Sequence, residues 1–135
     1  MNNQQVFQWP VRVYYENTDA GGVVYHSQYL NFMERARTEW LRHLGFEQTT
    51  LRDDLDVMIV IRSLAIDYKS PARFNDLLTV ECVLTNTGRS SIDITQRITC
   101  DGKVLITAQV KGVFVNANTF KPVSIPTAIK QAMEA

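Results

Sequence analysis

The apolar residues of this chain change their spacing twice. From Phe7 they alternate strictly with polar ones, as Phe7, Trp9, Val11, Val13 and Tyr15, the period of a half-buried strand. Pro10 lacks an N–H for a central ladder, so this strand belongs at a sheet edge or carries a bulge. From Ser27 the spacing lengthens to three or four: Tyr29, Leu30, Met33, Ala36, Trp40, Leu41 and Leu44. Glu34, Arg35, Arg37, Glu39 and Arg42 fill the other faces. This pattern predicts one long amphipathic helix, with Ser27 as N-cap and Gly45 at the left-handed position that ends it. A helix of about eighteen residues is roughly 27 Å long, and its broad apolar stripe needs a large cover.

Alternation then returns and supplies that cover. Met58, Val60, Leu64, Ile66 and Tyr68 form one set, and Leu78, Val80, Cys82 and Leu84 a second. Ile92, Ile94 and Ile98 form a third, and Val104, Ile106, Ala108, Val110 and Phe114 a fourth. The breaks Ser70-Pro71, Thr87-Gly88 and Asp101-Gly102 are turn-like, the last being the strongest hairpin signal. Tight turns force antiparallel pairing. The expectation is therefore an α+β protein: a curved antiparallel sheet of about five strands wrapped around one long central helix, in a single domain over 1–135. Pro126 to Met133 predicts a short terminal helix. Thr79, Glu81, Thr85, Asp93 and Thr95 fall on the other sheet face, toward water or another subunit.

Composition removes several function classes. Fourteen basic residues balance fourteen acidic ones, and no long run of like charge provides the basic patch that nucleic acid or an anionic membrane requires. The opening MNNQQVFQWP lacks the pattern of a signal peptide, and no apolar run approaches the ~18 residues of a membrane span. Cys82 and Cys100 sit inside strand-like segments, as expected of buried reduced thiols in a cytoplasmic protein. Nucleotide-binding glycine motifs and the G-x-S-x-G elbow are absent. His26 and His43 lack metal-ligand spacing, so neither a metal nor another cofactor is expected.

Chemistry concentrates in one stretch, ENTDAGGVVYHSQYLNF, where the first strand hands over to the helix. Asp19 precedes His26 by seven residues, and His26 lies at the helix N-terminus, where free N–H groups carry about half a positive charge. If Gly21-Gly22 folds the loop back, an ionised Asp19 faces an oxyanion-binding dipole. The plainer alternative is a loop acid in an Asx-turn beside an ordinary glycine turn; the residues alone leave both open. His43 in the last helical turn is a partner for the helix dipole, and Glu34, Arg35 and Glu39 read as helix-surface pairs.

The pattern formed by Tyr15, Asp19, Gly22, Val24, His26 and Tyr29, Y-x-x-x-D-x-x-G-x-V-x-H-x-x-Y, resembles the hotdog-fold acyl-CoA thioesterases. The nearest members are the YbgC type associated with the Tol-Pal genes; the 4-hydroxybenzoyl-CoA thioesterases are more distant. ERARTEWLRHLGF and DYKSPARFNDLLTVE extend the similarity over nearly the whole chain. The resemblance implies a helix wrapped by a curved sheet, dimers joined edge to edge and often paired into tetramers, and active sites at the subunit interface. It implies Asp19 as the catalytic carboxylate and the His26 N–H as the group polarising the thioester carbonyl. Tyr15 and the His26 side chain join them, Gly22 and Val24 belong to the substrate-binding loop, and Arg89 and Lys121 meet the CoA phosphates. Asn17 departs from the aspartate usual in close relatives. The implied activity is hydrolysis of acyl-CoA, with short aliphatic chains first and aryl groups next. Two other readings of the fold are a 3-hydroxyacyl-thioester dehydratase or hydratase using His26 with Glu34, and a module that binds acyl carrier protein.

Overall fold

The computed structural model describes residues 5–135, so the part of the opening-segment reading that rests on residues 1–4 lies outside the described residues. The chain forms β1 (Phe7–Arg12), a 3-10 turn (Tyr15–Asn17), α1 (Gln28–His43), α2 (Gln48–Leu55), β2 (Val57–Tyr68), β3 (Leu77–Thr87), β4 (Ser91–Cys100), β5 (Lys103–Asn116) and α3 (Thr127–Glu134). The strands make one antiparallel sheet in the order β1-β3-β4-β5-β2. This is the α+β hotdog architecture, a long helix against a five-stranded sheet. Pro10 lies in β1, an edge strand, as its missing N–H requires. No helix among the described residues is long and apolar enough to cross a membrane.

Local chemistry fixes the turns. Asp101 and Gly102 adopt φ of 51° and 81°, the two positive values of a type I′ hairpin turn, and join β4 to β5. Ser70-Pro71 does not make a hairpin. The β2 strand pairs with β5 at the far edge of the sheet, and residues 69–76 cross back to begin β3. That crossover matters, because the candidate site is built against it.

On α1, Tyr29, Phe32, Met33, Ala36, Trp40 and Leu41 are buried against the sheet. Ser27 stands at the N-cap position but makes no side-chain capping bond, and Gly45 ends the helix with φ of 100°. Leu30, expected inside, is 39% exposed, and Phe32 occupies the core instead. Glu39 pairs with Arg42 rather than Arg35. In β2 a register shift between Ile61 and Ser63 reverses the alternation. Ile59 packs on the core before it and Leu64 and Ile66 after it, so the inward positions expected at Met58 and Val60 move by one residue. The α2 helix carries a single buried residue, Leu51, and so left no periodic signal.

Gln96 is the most deeply buried polar side chain among the described residues. It sits between Ile94 and Ile98 on the helix-facing side of β4 and is 0% exposed. Its Nε2 donates to the Met33 carbonyl at 3.0 Å and contacts Cys82 Sγ at 3.1 Å. Its Oε1 accepts from the Arg37 guanidinium at 2.9 Å. These bonds satisfy the amide beneath α1 and pin the helix in register on the sheet. Burial pushes the Cys82 thiol up to about 11. On the opposite sheet face Glu81 pairs with Arg97 at 2.7 Å and Asp93 with Lys111 at 2.8 Å.

Candidate active site

The stretch between β1 and α1 is built from the backbone outward. Val13 exchanges hydrogen bonds with the β2–β3 crossover, donating to the Asp76 carbonyl at 2.9 Å and accepting from the Asn75 N–H at 3.0 Å. The buried Asn17 then accepts from the Tyr14 N–H at 2.8 Å and donates through Nδ2 to Gln28 Oε1 at 2.9 Å. From sequence, Asn17 stands out only as a departure from the aspartate usual in close relatives. The structure gives it a positive task, clamping the strand exit to the first turn of α1 and facing inward while Asp19 faces outward.

From Thr18 to Val24 the chain makes a small hairpin. The Asp19 N–H donates to the Val23 carbonyl at 3.0 Å, and the Gly22 N–H returns to the Asp19 carbonyl at 3.0 Å. Gly22 has φ of 77°, a conformation that strains any residue with a Cβ. Asp19 Oδ1 accepts the Gly21 N–H at 2.8 Å, the Asx-turn that the plainer alternative anticipated. That bond holds one carboxylate oxygen and leaves Oδ2 with no partner among the described residues, on an exposed side chain. The hairpin is sewn to the crossover through the Val23–Arg73 bridge and the Val24 N–H to Ala72 carbonyl bond of 2.8 Å. Val24 is buried and anchors it.

The chain next turns into α1. The Tyr25 N–H donates to Asn17 and the Gln28 N–H to the Tyr25 carbonyl, each at 2.9 Å. The N–H groups of His26 and Ser27 have no acceptor among the described residues. Free donors at the start of a sixteen-residue helix are a ready oxyanion site. The His26 ring is exposed, 4.4 Å from the Tyr25 ring and edge-on to Tyr68 at 6.5 Å, while the Tyr68 hydroxyl donates to the His26 carbonyl at 3.3 Å. Beneath them the Tyr29 hydroxyl accepts the Ala72 N–H at 2.9 Å, and burial holds its pKa above the usual phenol value. Tyr15 is 75% exposed and stacks on Phe74 with centroids 3.9 Å apart.

Tyr15, Asp19, Gly22, Val24 and His26 thus gather at one end of the sheet, around the crossover. Arg89 and Lys121 do not join them. Arg89 follows the far end of β3, a strand of 11 residues spanning roughly 36 Å, and its Nε donates to Ser124 Oγ at 3.0 Å. Lys121 lies at that same far end, its carbonyl accepting the Asn116 N–H at 2.9 Å. Sequence reasoning missed Phe74, and read Tyr68 only as a strand residue. Both come from far downstream, so no local spacing marks them as neighbours of the loop.

Known proteins resemble this chain over nearly its whole length. The family model described as the thioesterase-like superfamily matches residues 13–133. The acyl-CoA thioesterase YbgC of Haemophilus influenzae is 47% identical over 126 residues, covering 93% of each chain. The acyl-CoA thioester hydrolase YbgC of Escherichia coli O6:H1 is 44% identical over 128 residues, covering 94% of this chain and 95% of its own. A probable thioesterase from Bartonella henselae superposes with a TM-score of 0.87 at 33% identity, over 90% of this chain and 100% of that one. Through these matches and the fold that carries them, the chain belongs to the YbgC-type acyl-CoA thioesterases of the thioesterase-like superfamily.

Proposed function

We propose that this acyl-CoA thioesterase cleaves short aliphatic acyl-CoA with Asp19 as its catalytic carboxylate and the His26 N–H as its oxyanion donor. The observation that supports it is one juxtaposition in the chain. An exposed carboxylate, one of whose oxygens has no partner among the described residues, sits on the hairpin that leads to His26 and Ser27, whose N–H groups just before α1 have no acceptor among those residues. Asp19 either adds to the thioester carbon, forming a mixed anhydride that water then opens, or removes a proton from the water that adds. In both routes the carbonyl π pair moves to oxygen and is held by the His26 N–H; it then returns, and the C–S bond breaks with its electrons on sulfur. A thiol pKa of roughly 8.5 makes the thiolate a fair leaving group, so a strong general acid is unnecessary. Tyr15 and the His26 ring orient Asp19 or the water, and Gly22 and Val24 shape and anchor the loop that receives the thioester.

The proposed assembly follows from what one chain leaves undone. Arg89 and Lys121 contact the CoA phosphates in this reading, yet they lie at the opposite end of the sheet from Asp19. A site that uses both ends therefore takes them from a second copy, in a homodimer or a pair of dimers, with the edge strands β1 and β2 available for joining sheets. Residues 1–135 act as a single domain. The proposed location is the cytoplasm, where the unpaired thiols Cys82 and Cys100 stay reduced. A dehydratase pairing His26 with Glu34 fits less well, because Glu34 is six residues beyond Gln28, roughly 9 Å up the helix axis.

The test is a panel of acyl-CoA substrates with thiol release followed by a chromogenic disulfide. Short aliphatic chains are expected to give the highest kcat/KM. Failure to release thiol from any of them, with loss of water from 3-hydroxyacyl-CoA, would establish the dehydratase instead. Inertness toward every acyl-CoA combined with direct binding of acyl carrier protein would establish a carrier-binding module.

A further inference from the structure

After β5 the chain doubles back on itself. Val115 pairs with Pro122, the Asn116 N–H donates to the Lys121 carbonyl at 2.9 Å, and the Phe120 N–H donates to the Asn116 carbonyl at 2.8 Å. Asn116 Oδ1 accepts the N–H groups of Asn118 and Thr119 at 2.8 and 3.0 Å, which fixes the turn. Phe120 occupies the left-handed position that closes it, with φ of 60°. Glycine or asparagine normally fills such a position. The other non-glycine residues with positive φ among the described residues are Asp56, Asn75 and Asp101, types that tolerate it. Phe120 is the bulky exception, and it is also 62% exposed. Folding gains little from this ring, since its side chain points out of the core and its backbone is strained. Such outliers gather where a ligand is met.

The surroundings indicate what the ring meets. Lys121 follows it directly, and the returning segment leads to Ile125, whose N–H donates to the Arg89 carbonyl at 2.8 Å. There an open cleft of about 630 Å³ is lined by Arg89, Ser124, Thr127, Lys130 and Glu134, among others. Phe120 stands next to Lys121 and four residues before Ser124 of that cleft, at most roughly 13 Å along the chain. One exposed aromatic face and the cations Lys121, Arg89 and Lys130 therefore lie within the reach of a purine nucleotide with its phosphates. We infer that Phe120 is the stacking platform for the adenine of CoA, with Lys130 joining Arg89 and Lys121 around the phosphates. This rests on the thioesterase reading, and makes Phe120 a specificity residue for the carrier rather than for the acyl chain.

The experiment compares the full-length protein with Phe120→Ala, Phe120→Trp and Phe120→Gly on one acyl group carried by CoA and by pantetheine, which lacks the nucleotide. Phe120→Ala is expected to lower the ratio of kcat/KM on the CoA thioester to that on the pantetheine thioester by about 5- to 100-fold, through KM, and Phe120→Trp to preserve it. Phe120→Gly should raise the melting temperature while lowering that ratio, opposite signs that a packing role would not produce. An unchanged ratio in Phe120→Ala would overturn the inference. Titration with adenosine 3′,5′-bisphosphate reads it without hydrolysis: binding that weakens by a similar factor in Phe120→Ala supports it, and equal binding by the two proteins refutes it. A wild-type protein that hydrolyses neither thioester would defeat the thioesterase reading, and the titration would still decide the role of Phe120.

Discussion

Gly21→Ala isolates the position of the Asp19 carboxylate from the stability of the fold. Gly21 does not have a left-handed φ, so its backbone accepts alanine. A Cβ there would lie 3.2 Å from Asp19 Oδ1, close enough that the carboxylate must give by a few tenths of an ångström. A misplacement of about 1 Å costs on the order of 100-fold in rate, so a shift of this size should lower kcat by roughly 3- to 10-fold. Stability should hold or rise by about 0.4–1 kcal/mol, because alanine restricts the unfolded chain. Gly22→Ala is the control of opposite kind. Its φ of 77° makes alanine cost about 1–2 kcal/mol, a melting temperature lower by roughly 4–7 °C. Steady-state thiol release and thermal unfolding on both variants test the reasoning. Wild-type kcat in Gly21→Ala would show that the carboxylate's placement does not control the chemistry, and a large loss of stability there would show that the hairpin geometry has been misjudged.

His26→Pro deletes the N–H that has no acceptor among the described residues, and should cost about 100- to 1,000-fold in kcat with the fold intact. His26→Ala keeps that N–H and should be milder; equal effects of the two would place the role in the ring. Gln96→Leu leaves the half-buried Arg37 guanidinium without its acceptor and should destabilise by roughly 1.5–3 kcal/mol, about 5–10 °C in melting temperature, whereas a shift under about 1 °C would refute a structural role for this amide. Cys82 keeps its proton up to about 11 in the folded state, while an unfolded cysteine releases it near 8.5. The unfolded chain therefore binds fewer protons between those values, and stability present below about pH 8.5 drains away by roughly 2–3 kcal/mol toward pH 11. Urea midpoints across that window should fall, and the slope should flatten in Cys82→Ala; an unchanged slope would contradict the assignment.

The architecture was largely legible because burial imposes periods. Leu78, Val80 and Cys82 face inward as their alternation requires, and Asp101-Gly102 makes the turn that its positive φ values suit. Features set by long-range pairing were not legible. The bulge between Ile61 and Ser63 shifts the inward positions of β2, and nothing local announces it. Ser70-Pro71 reads as a tight turn, yet β2 pairs with β5, a choice made by tertiary packing. Gln96 breaks an isoleucine alternation, and only the helix above supplies the partners that make its burial tolerable. For the site, the loop chemistry was visible as an acid, two glycines and a helix start. The choice of Asp19 as the proposed catalytic acid rests on family resemblance, and the stacking of Tyr15 on Phe74 came only from the fold.

Asp19→Asn tests the central claim most directly, because it keeps the shape and the hydrogen-bond acceptor for Gly21 while removing the ionised oxygen. Thiol release from the best acyl-CoA substrate should fall by about three orders of magnitude, with the melting temperature and substrate affinity of the wild type. Wild-type turnover in Asp19→Asn would contradict the account.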